Sequence, residues 1–179
     1  MILAADIGNT RTTFALFTET GQLSFLSELD TDRRMTDDQC AIRILGVFQL
    51  YRADIAQVKG AILSSVVPPV TGIYARAIQR LTGNAPLIVG PGLKTGLNIR
   101  ADVHNQLGSD IVASAVAAMA LYPTPVIVIN SHTAVSFSYI SHSAFEGCAI
   151  MPGMGIALEA LSQNGAQLPH ISMGRVDSP

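Results

Sequence analysis

The sequence predicts an α/β fold in which helices pack on mixed β-sheets, arranged as two similar lobes. Segments with strand and helix patterns alternate along the chain, and a strand-turn-strand pattern opens both its first and its second part. The composition agrees with this prediction. Of the 179 residues, 49% are hydrophobic and 13% are charged, which is enough apolar side chain for one sizeable core or two small ones.

The first ninety residues predict the order β-β-β-α-β-α-β, with an antiparallel opening. The first helix is expected from Asp37 to Arg52, because Thr36 and Gln39 have the spacing of a capping box. The second helix is expected to begin at Pro68 and to end at Gly83. Alternating or apolar runs predict strands at Ile2–Asp6, Thr12–Thr18, Leu23–Leu29, Ala61–Val67 and Leu87–Val89.

The second part begins with a glycine-rich connector at residues 90–100, in which Lys94 is either a phosphate contact or a solvated lysine. A helix of small residues follows from Ile111 to Leu121, and it is expected to be buried because it is apolar nearly all round. Further strands and one helix are predicted at Val126–Asn130, Ala134–Ile140, Phe145–Ile150 and Met154–Gln163.

Charge and cysteine usage exclude several classes of protein. The net charge is -2 without a block of like charges, so no electrostatic footprint for nucleic acid or an anionic membrane is present. Cys40 and Cys148 lack metal-type spacing, and the first residues do not resemble a signal peptide. We therefore expect a cytoplasmic protein that has neither nucleic acid nor a membrane as its partner.

A short polar turn, Asp6–Thr10, separates the first two predicted strands. Asp6 offers the hard oxygen ligands that Mg²⁺ prefers beside a nucleotide phosphate. Gly8 tolerates positive φ and leaves room for an anion, while Asn9 and Thr10 favour turns and offer hydrogen bonds. This pattern is typical either of a site for phosphate and Mg²⁺ or of an ordinary hairpin turn.

Several segments, taken in order, resemble the motifs of type III pantothenate kinases, a family that includes proteins named Bvg accessory factors. The resemblance covers nearly the whole chain, and the combination of motifs is highly specific. The segments are Asp6–Thr10, Ser64–Pro69, Gly90–Ile99, Gly108–Asp110, Gly147–Gly153 and Leu158–Leu161.

The resemblance implies the fold of the acetate kinase, sugar kinase, Hsp70 and actin superfamily, with two ribonuclease H-like lobes around ATP. These lobes are expected at residues 1–100 and 101–179, the second incomplete because family members continue beyond this length. The implied activity is ATP-dependent phosphorylation of pantothenate to 4'-phosphopantothenate in coenzyme A biosynthesis. The implied cofactors are ATP, Mg²⁺ and a monovalent cation, K⁺ or NH₄⁺.

The resemblance also implies roles for individual residues. Asp110 is expected to act as general base on the pantothenate hydroxyl, with Gly108, Ser109 and Ile111 as neighbouring substrate-binding positions. An alternative is that Asp110 only stabilises the start of its helix through the macrodipole. The residues expected to bind the ATP phosphates, with Asp6 also binding Mg²⁺, are Asp6, Gly8, Asn9, Thr10 and Arg11.

The second phosphate-binding turn of the family departs from its usual sequence here. At residues 130–136 only Thr133 and Ala134 match it, and Thr133 is the candidate phosphate contact. Asn130 replaces an aspartate that helps to bind the monovalent cation, so weaker cation binding is expected. His132 replaces a glycine, which is expected to obstruct the approach of phosphate unless the turn has moved.

Other departures affect substrate recognition, because Ile111 replaces an arginine and Ala101 replaces a tyrosine at positions that contact pantothenate in the family. A different role for His132 is as a metal ligand with His104 or His142, although the spacing is not diagnostic. Two hypotheses therefore remain. The chain is either a pantothenate kinase or an inactive homologue that serves as a nucleotide-binding regulator or assembly subunit. An incomplete second lobe would expose apolar surface, so we expect a homodimer or a partner subunit.

Overall fold

The computed structural model describes residues 1–90, 93–100, 107–142 and 144–165. Ala101, His104, Pro91 and Gly92 lie outside these ranges, as do residues 166–179. The strands are β1 Ile2–Ile7, β2 Arg11–Phe17, β3 Leu23–Asp30, β4 Gly60–Ser65, β5 Leu87–Ile88, β6 Asn98–Ile99, β7 Val126–Ser131, β8 Ala134–Ser141 and β9 Ala144–Pro152. The α-helices are α1 Asp37–Leu50, α2 Pro68–Thr82, α3 Ser109–Leu121 and α4 Met154–Asn164, and a short 3₁₀ helix spans Ile55–Gln57.

Every strand and helix predicted from the sequence is confirmed, with ends that shift by a few residues. The 3₁₀ helix and β6 were not predicted, because each has only two or three residues and no periodic pattern. The chain divides into two compact units, Met1–Thr95 with Val103–Ala113 and Gly96–Asp102 with Ser114–Pro179. Helix α3 contributes to both units, so the division at residue 100 stays a prediction.

The first unit is built on a five-stranded mixed sheet in the order β3-β2-β1-β4-β5. Strand β1 is antiparallel to β2 and parallel to β4, so the carboxyl ends of β1 and β4 lie at the same edge. In this register Asp6 is opposite Thr13 on one side and opposite Ser64 on the other. The largest fully buried side chains of the core include Leu3, Phe14, Leu16, Phe48, Leu63 and Ile78.

The two helices of the first unit begin and end where local chemistry predicts. The Thr36 hydroxyl accepts a hydrogen bond from the Gln39 backbone, and the Gln39 side chain accepts one from the Thr36 backbone, which completes the capping box of α1. Helix α2 has Pro68 in its first turn and ends at Gly83, whose φ of 77° is in the left-handed region. Burial of Cys40 on α1 raises the pKa of its thiol to about 12, so this cysteine is inert near neutral pH.

The second unit is built on a four-stranded sheet in the order β6-β9-β8-β7. Helix α3 buries Ile111, Ala115 and Ala118, which have helical spacing, while the face with Ala113 and Ala117 is exposed. The prediction of a helix buried all round was therefore wrong. Small alanine side chains present little apolar area, so they can face solvent at low cost even though they read as hydrophobic.

One face of the second sheet is exposed and strongly apolar. The pairing of β7 with β8 and of β8 with β9 places alternate residues of the three strands on this face. The exposed apolar side chains are Ile127, Ile129, Phe137, Tyr139 and Met151, which we call the apolar face. Among the helices that the structure describes, none has the length and hydropathy needed to cross a bilayer.

Candidate functional site

The first polar turn joins β1 to β2 and is closed by its own backbone. The Gly8 N–H donates to the Arg11 carbonyl at 2.9 Å, so this group is used within the turn. This contact does not test the predicted role of Gly8 in binding phosphate, which stays a prediction. Gly8 does not have positive φ, since the described glycines with positive φ are Gly21, Gly83 and Gly96. A glycine is needed here for space, because a Cβ would lie 2.9 Å from the Arg11 carbonyl oxygen.

The loop after β3 supports this turn from outside. The Thr31 backbone N–H donates to the Thr10 carbonyl at 2.9 Å, and the Thr31 hydroxyl donates to the Gly8 carbonyl at 2.8 Å. The same hydroxyl lies 2.9 Å from that of Thr12, which in turn lies 3.1 Å from the phenol of Tyr74. Burial raises the pKa of Tyr74, so the phenol stays protonated as a hydrogen-bonding group. This network, which no pattern in the sequence indicates, fixes the turn to the core of the first unit.

The candidate phosphate-binding side chains on this turn differ in whether they already have hydrogen-bond or ion-pair partners. Asp6 is exposed, and its carboxylate forms no hydrogen bond or ion pair with any residue that the structure describes. Arg11 Nη1 lies 2.9 Å from Glu28 Oε2, so its charge is paired across β2 and β3. Asn9 Oδ1 accepts a hydrogen bond of 2.9 Å from Arg33 Nη2, a contact that no pattern in the sequence indicates.

Ser109 ties the start of α3 to the end of β4. Its hydroxyl accepts from the Ser65 backbone N–H at 2.8 Å and donates to the Ser65 carbonyl at 2.9 Å. The Ser64 hydroxyl lies 3.1 Å from it, and both Ser64 and Ser109 are buried. The Ser109 hydroxyl is thus occupied by protein groups, and its predicted contact with substrate stays a prediction.

These contacts bring two candidate carboxylates to the same edge of the first sheet. Asp6 on β1 is the register partner of Ser64 on β4, so their side chains lie on the same face about 5 Å apart at Cα. The Ser64 hydroxyl is hydrogen-bonded to the Ser109 hydroxyl, and Asp110 follows Ser109 in the chain. Asp110 is half-buried in the first turn of α3, and Ile111 beside it is buried. A carboxylate suited to metal and a carboxylate suited to proton transfer therefore share the carboxyl edge of β1 and β4.

Gly108 makes room for the Asp110 carboxylate. A Cβ on Gly108 would overlap Asp110 Oδ1 and would lie 3.5 Å from Val66 Cγ1. The first obstacle is the end of a flexible side chain, so the fold could accommodate a methyl group there only by moving the carboxylate. Gly108 thus leaves the space that the Asp110 carboxylate occupies, and its predicted contact with substrate stays a prediction.

We expect Gly108→Ala to lower pantothenate-dependent ADP release by about tenfold, because the methyl group would displace the carboxylate that is predicted to act as general base. The free energy of unfolding should change by less than about 1 kcal/mol, since a side chain can move at lower cost than backbone. Steady-state kinetics and urea unfolding would measure both quantities. Gly46→Ala is a matched control, because its new methyl group meets no atom within 4 Å. Equal activity in the two variants would contradict this role for Gly108.

The second turn, between β7 and β8, is held by backbone contacts within its own unit. The Gly153 N–H donates to the Thr133 carbonyl at 3.0 Å, and the His132 N–H donates to the Ala134 carbonyl at 3.0 Å. His132 is exposed and is not among the described non-glycine residues with positive φ, which are Arg52 and His142. The loss of the family glycine at this position therefore causes no backbone strain.

Asn130, near which a monovalent-cation site was expected, has a hydrogen-bond partner on another element of the same unit. Asn130 Nδ2 donates to the Ser114 hydroxyl at 3.1 Å, which links β7 to α3. Across the described ranges no group of three or more His, Cys, Asp or Glu side chains is placed to hold a metal ion. His142 Nδ1 lies 2.7 Å from the Ser141 hydroxyl, and His104 lies outside the described residues.

The chain is similar in sequence to known proteins along nearly its whole length. A family model for type III pantothenate kinase matches residues 2–179. A type III pantothenate kinase of Listeria welshimeri is 40% identical over 174 residues, which cover 97% of this chain and 67% of that protein. One of Geobacillus is 36% identical over 178 residues, which cover 99% of this chain and 69% of that protein.

Solved structures show the same fold at low sequence identity. A Baf family protein of Campylobacter jejuni has a TM-score of 0.56 at 18% identity and covers 99% of this chain and 67% of that one. The predicted α/β fold, with two mixed sheets and flanking helices, is therefore confirmed. The identity to its relatives and the match to the family model lead to one conclusion: the chain belongs to the type III pantothenate kinase family.

Proposed function

We propose that the chain transfers the γ-phosphate of ATP to the hydroxyl of pantothenate, with the first turn binding phosphate and Asp110 accepting the hydroxyl proton. The observation that carries this proposal is the placement of Asp6 and Asp110 at one edge of the first sheet through Ser64 and Ser109. Phosphoryl transfer needs little covalent chemistry from the protein. It needs an aligned hydroxyl, a base within hydrogen-bond reach and neutralised phosphate charge.

The residues present suit Mg²⁺ better than they suit a monovalent cation. Mg²⁺ is commonly held by one or two carboxylates together with substrate phosphates. The exposed Asp6 carboxylate, which has no partner among the described residues, provides such a ligand. There the metal would neutralise charge on the phosphates. Asn130 offers a neutral oxygen, and its amide nitrogen is already bonded to Ser114. We therefore assign K⁺ or NH₄⁺ no step in the reaction.

The proposal is tested by a coupled assay of ADP release with pantothenate, ATP, Mg²⁺ and NH₄⁺. Pantothenate-dependent turnover supports the kinase. Its absence at every cation concentration tried, together with ATP-dependent thermal stabilisation, would support the second candidate. This candidate is an inactive homologue that binds nucleotide and acts as a regulator or assembly subunit. Ile111 and Asn130 favour it, because an apolar residue and a neutral amide replace charged family residues at these positions.

The proposal extends to a homodimer formed through the apolar face. The five exposed side chains of this face lie on three neighbouring strands, an arrangement that is unusual for surface exposed to water. Multi-angle light scattering at micromolar concentration should give twice the mass of one chain. Phe137→Ser should shift the population towards monomer, whereas a wild-type monomer would contradict a second copy as the partner.

A further inference from the structure

The loop between β3 and α1, residues 31–36, carries two adjacent arginines next to the first turn. Thr31 is hydrogen-bonded to the carbonyls of Gly8 and Thr10 at 2.8 and 2.9 Å, so the start of the loop is fixed against the turn. Asp32 accepts from the Arg34 backbone N–H at 2.9 Å, which shapes the next residues. Arg33 therefore projects from a supported loop, two residues from a double anchor.

The guanidinium of Arg33 reaches the turn without being neutralised there. Its Nη2 donates to Asn9 Oδ1 at 2.9 Å, and a guanidinium has five N–H donors in all. Among the residues that the structure describes, no carboxylate lies within ion-pair distance of Arg33. The nearby Asp32 pairs with Arg43 instead, at 3.3 Å. Because Asn9 is a neutral acceptor, the positive charge of Arg33 remains available beside the turn.

Arg11 has the opposite arrangement. It is next to the turn in sequence and was the basic residue expected to meet phosphate, yet its Nη1 lies 2.9 Å from Glu28 Oε2. Arg11 would have to break its ion pair with Glu28 before it could pair with another anion. Of these two arginines, the one on the neighbouring loop is better placed to attract phosphate.

We infer that Arg33 is a phosphate-binding residue of the nucleotide site, held in position by Asn9 and the Thr31 anchors. Its ligand is the polyphosphate chain of ATP, which a guanidinium can bind through paired hydrogen bonds. This role is distinct from that of Asp6, which approaches the phosphates through a cation. The inference rests on the proposed function, since it requires nucleotide phosphate at the first turn.

The test compares Arg33→Gln with Arg34→Gln, which removes the same charge from the same loop. Calorimetric titration with Mg²⁺-ATP should show about tenfold weaker binding for Arg33→Gln, as expected for one lost charged hydrogen bond. Arg34→Gln should stay within about twofold of wild type, because Arg34 is exposed and salt screens its charge. Arg33→Lys should be intermediate, since lysine keeps the charge but loses the planar fork.

Two further readouts separate phosphate binding from a structural role. The salt dependence of ATP affinity should be shallower in Arg33→Gln, and inorganic triphosphate should show the same ranking of variants as ATP. A fall in the ligand-free melting temperature with unchanged ATP affinity would overturn the inference, as would equal losses in both glutamine variants. If wild type binds no ATP, the proposed function falls and this inference with it; if wild type binds and Arg33→Gln binds equally, only this inference falls.

Discussion

Asp110→Asn is expected to lower pantothenate-dependent ADP release by roughly 10²- to 10⁴-fold, the usual contribution of a positioned general base. Asparagine has nearly the same shape as aspartate but cannot accept the hydroxyl proton. The Asp110 carboxylate forms no hydrogen bond or ion pair with any residue that the structure describes, so its loss leaves no partner unsatisfied. The loss should therefore appear in kcat, with the affinity for ATP close to that of wild type.

The alternative role of Asp110, as a negative charge at the start of α3, predicts a different result. A charge that only interacts with the helix dipole contributes about 0.3–1 kcal/mol to stability and nothing specific to turnover. Asp38→Asn is the matched control, because Asp38 lies in the first turn of α1 and pairs with Arg80 on the surface. If wild type turns over and both variants keep more than a third of its activity, Asp110 is not the base.

The carboxylate arrangement could be predicted from the sequence only in part. The motif at Asp6 and the helix start at Asp110 were recognisable, because strand ends, turns and helix starts have local signals. Their proximity depends on the parallel pairing of β1 with β4 and on the hydrogen bonds of Ser109, contacts between residues far apart in the chain. Periodicity in a single sequence does not encode such pairings, and only the family resemblance suggested them.

The surroundings of the first turn were not predictable in the same way. Thr31 and Arg33 are polar residues in a loop, and loops lack the periodic pattern that predicts a neighbour. A signal was present, since Arg33 and Arg34 lie shortly after the end of β3, the strand that pairs with β2. The sequence alone does not distinguish Arg33 from the other arginines near the turn. The structure does, because Arg33 Nη2 lies 2.9 Å from Asn9 Oδ1 while Arg11 is paired with Glu28.

The structural role of Gly153 also has no local signal in the sequence. Replacing this glycine is the second change for which we expect a large effect. Gly153 was part of a recognised motif. A glycine is required at this position because its backbone packs against the second turn, which is distant in the chain. A Cβ on Gly153 would overlap the His132 carbonyl oxygen and would lie 2.5 Å from that of Thr133 and 2.8 Å from the Thr133 carbonyl carbon. These are backbone atoms, so neither a rotamer change nor a small side-chain shift removes the clash.

Gly153→Ala is therefore expected to destabilise the second unit by about 1–3 kcal/mol, the usual range for overpacking. The turn can accept the methyl group only by moving away, which would lengthen the 3.0 Å bond from the Gly153 N–H to the Thr133 carbonyl. Hydrogen-deuterium exchange should then rise in β8 and β9 while the first sheet keeps its protection. Because Thr133 is a predicted phosphate contact, ATP affinity should fall as well.

Gly147→Ala, on strand β9 just before Gly153, provides the control, because a Cβ there meets no atom within 4 Å. Urea unfolding followed by circular dichroism should place this variant within about 0.5 kcal/mol of wild type, as for most substitutions without a specific clash. If Gly153→Ala unfolds at the same urea concentration as Gly147→Ala, the backbone contact does not restrict this position. If it is destabilised but its exchange rises in the first sheet instead, the contact with the second turn is not the cause. The expected pattern, a loss confined to the second unit and accompanied by weaker ATP binding, would link the altered turn at residues 130–136 to nucleotide binding through Gly153.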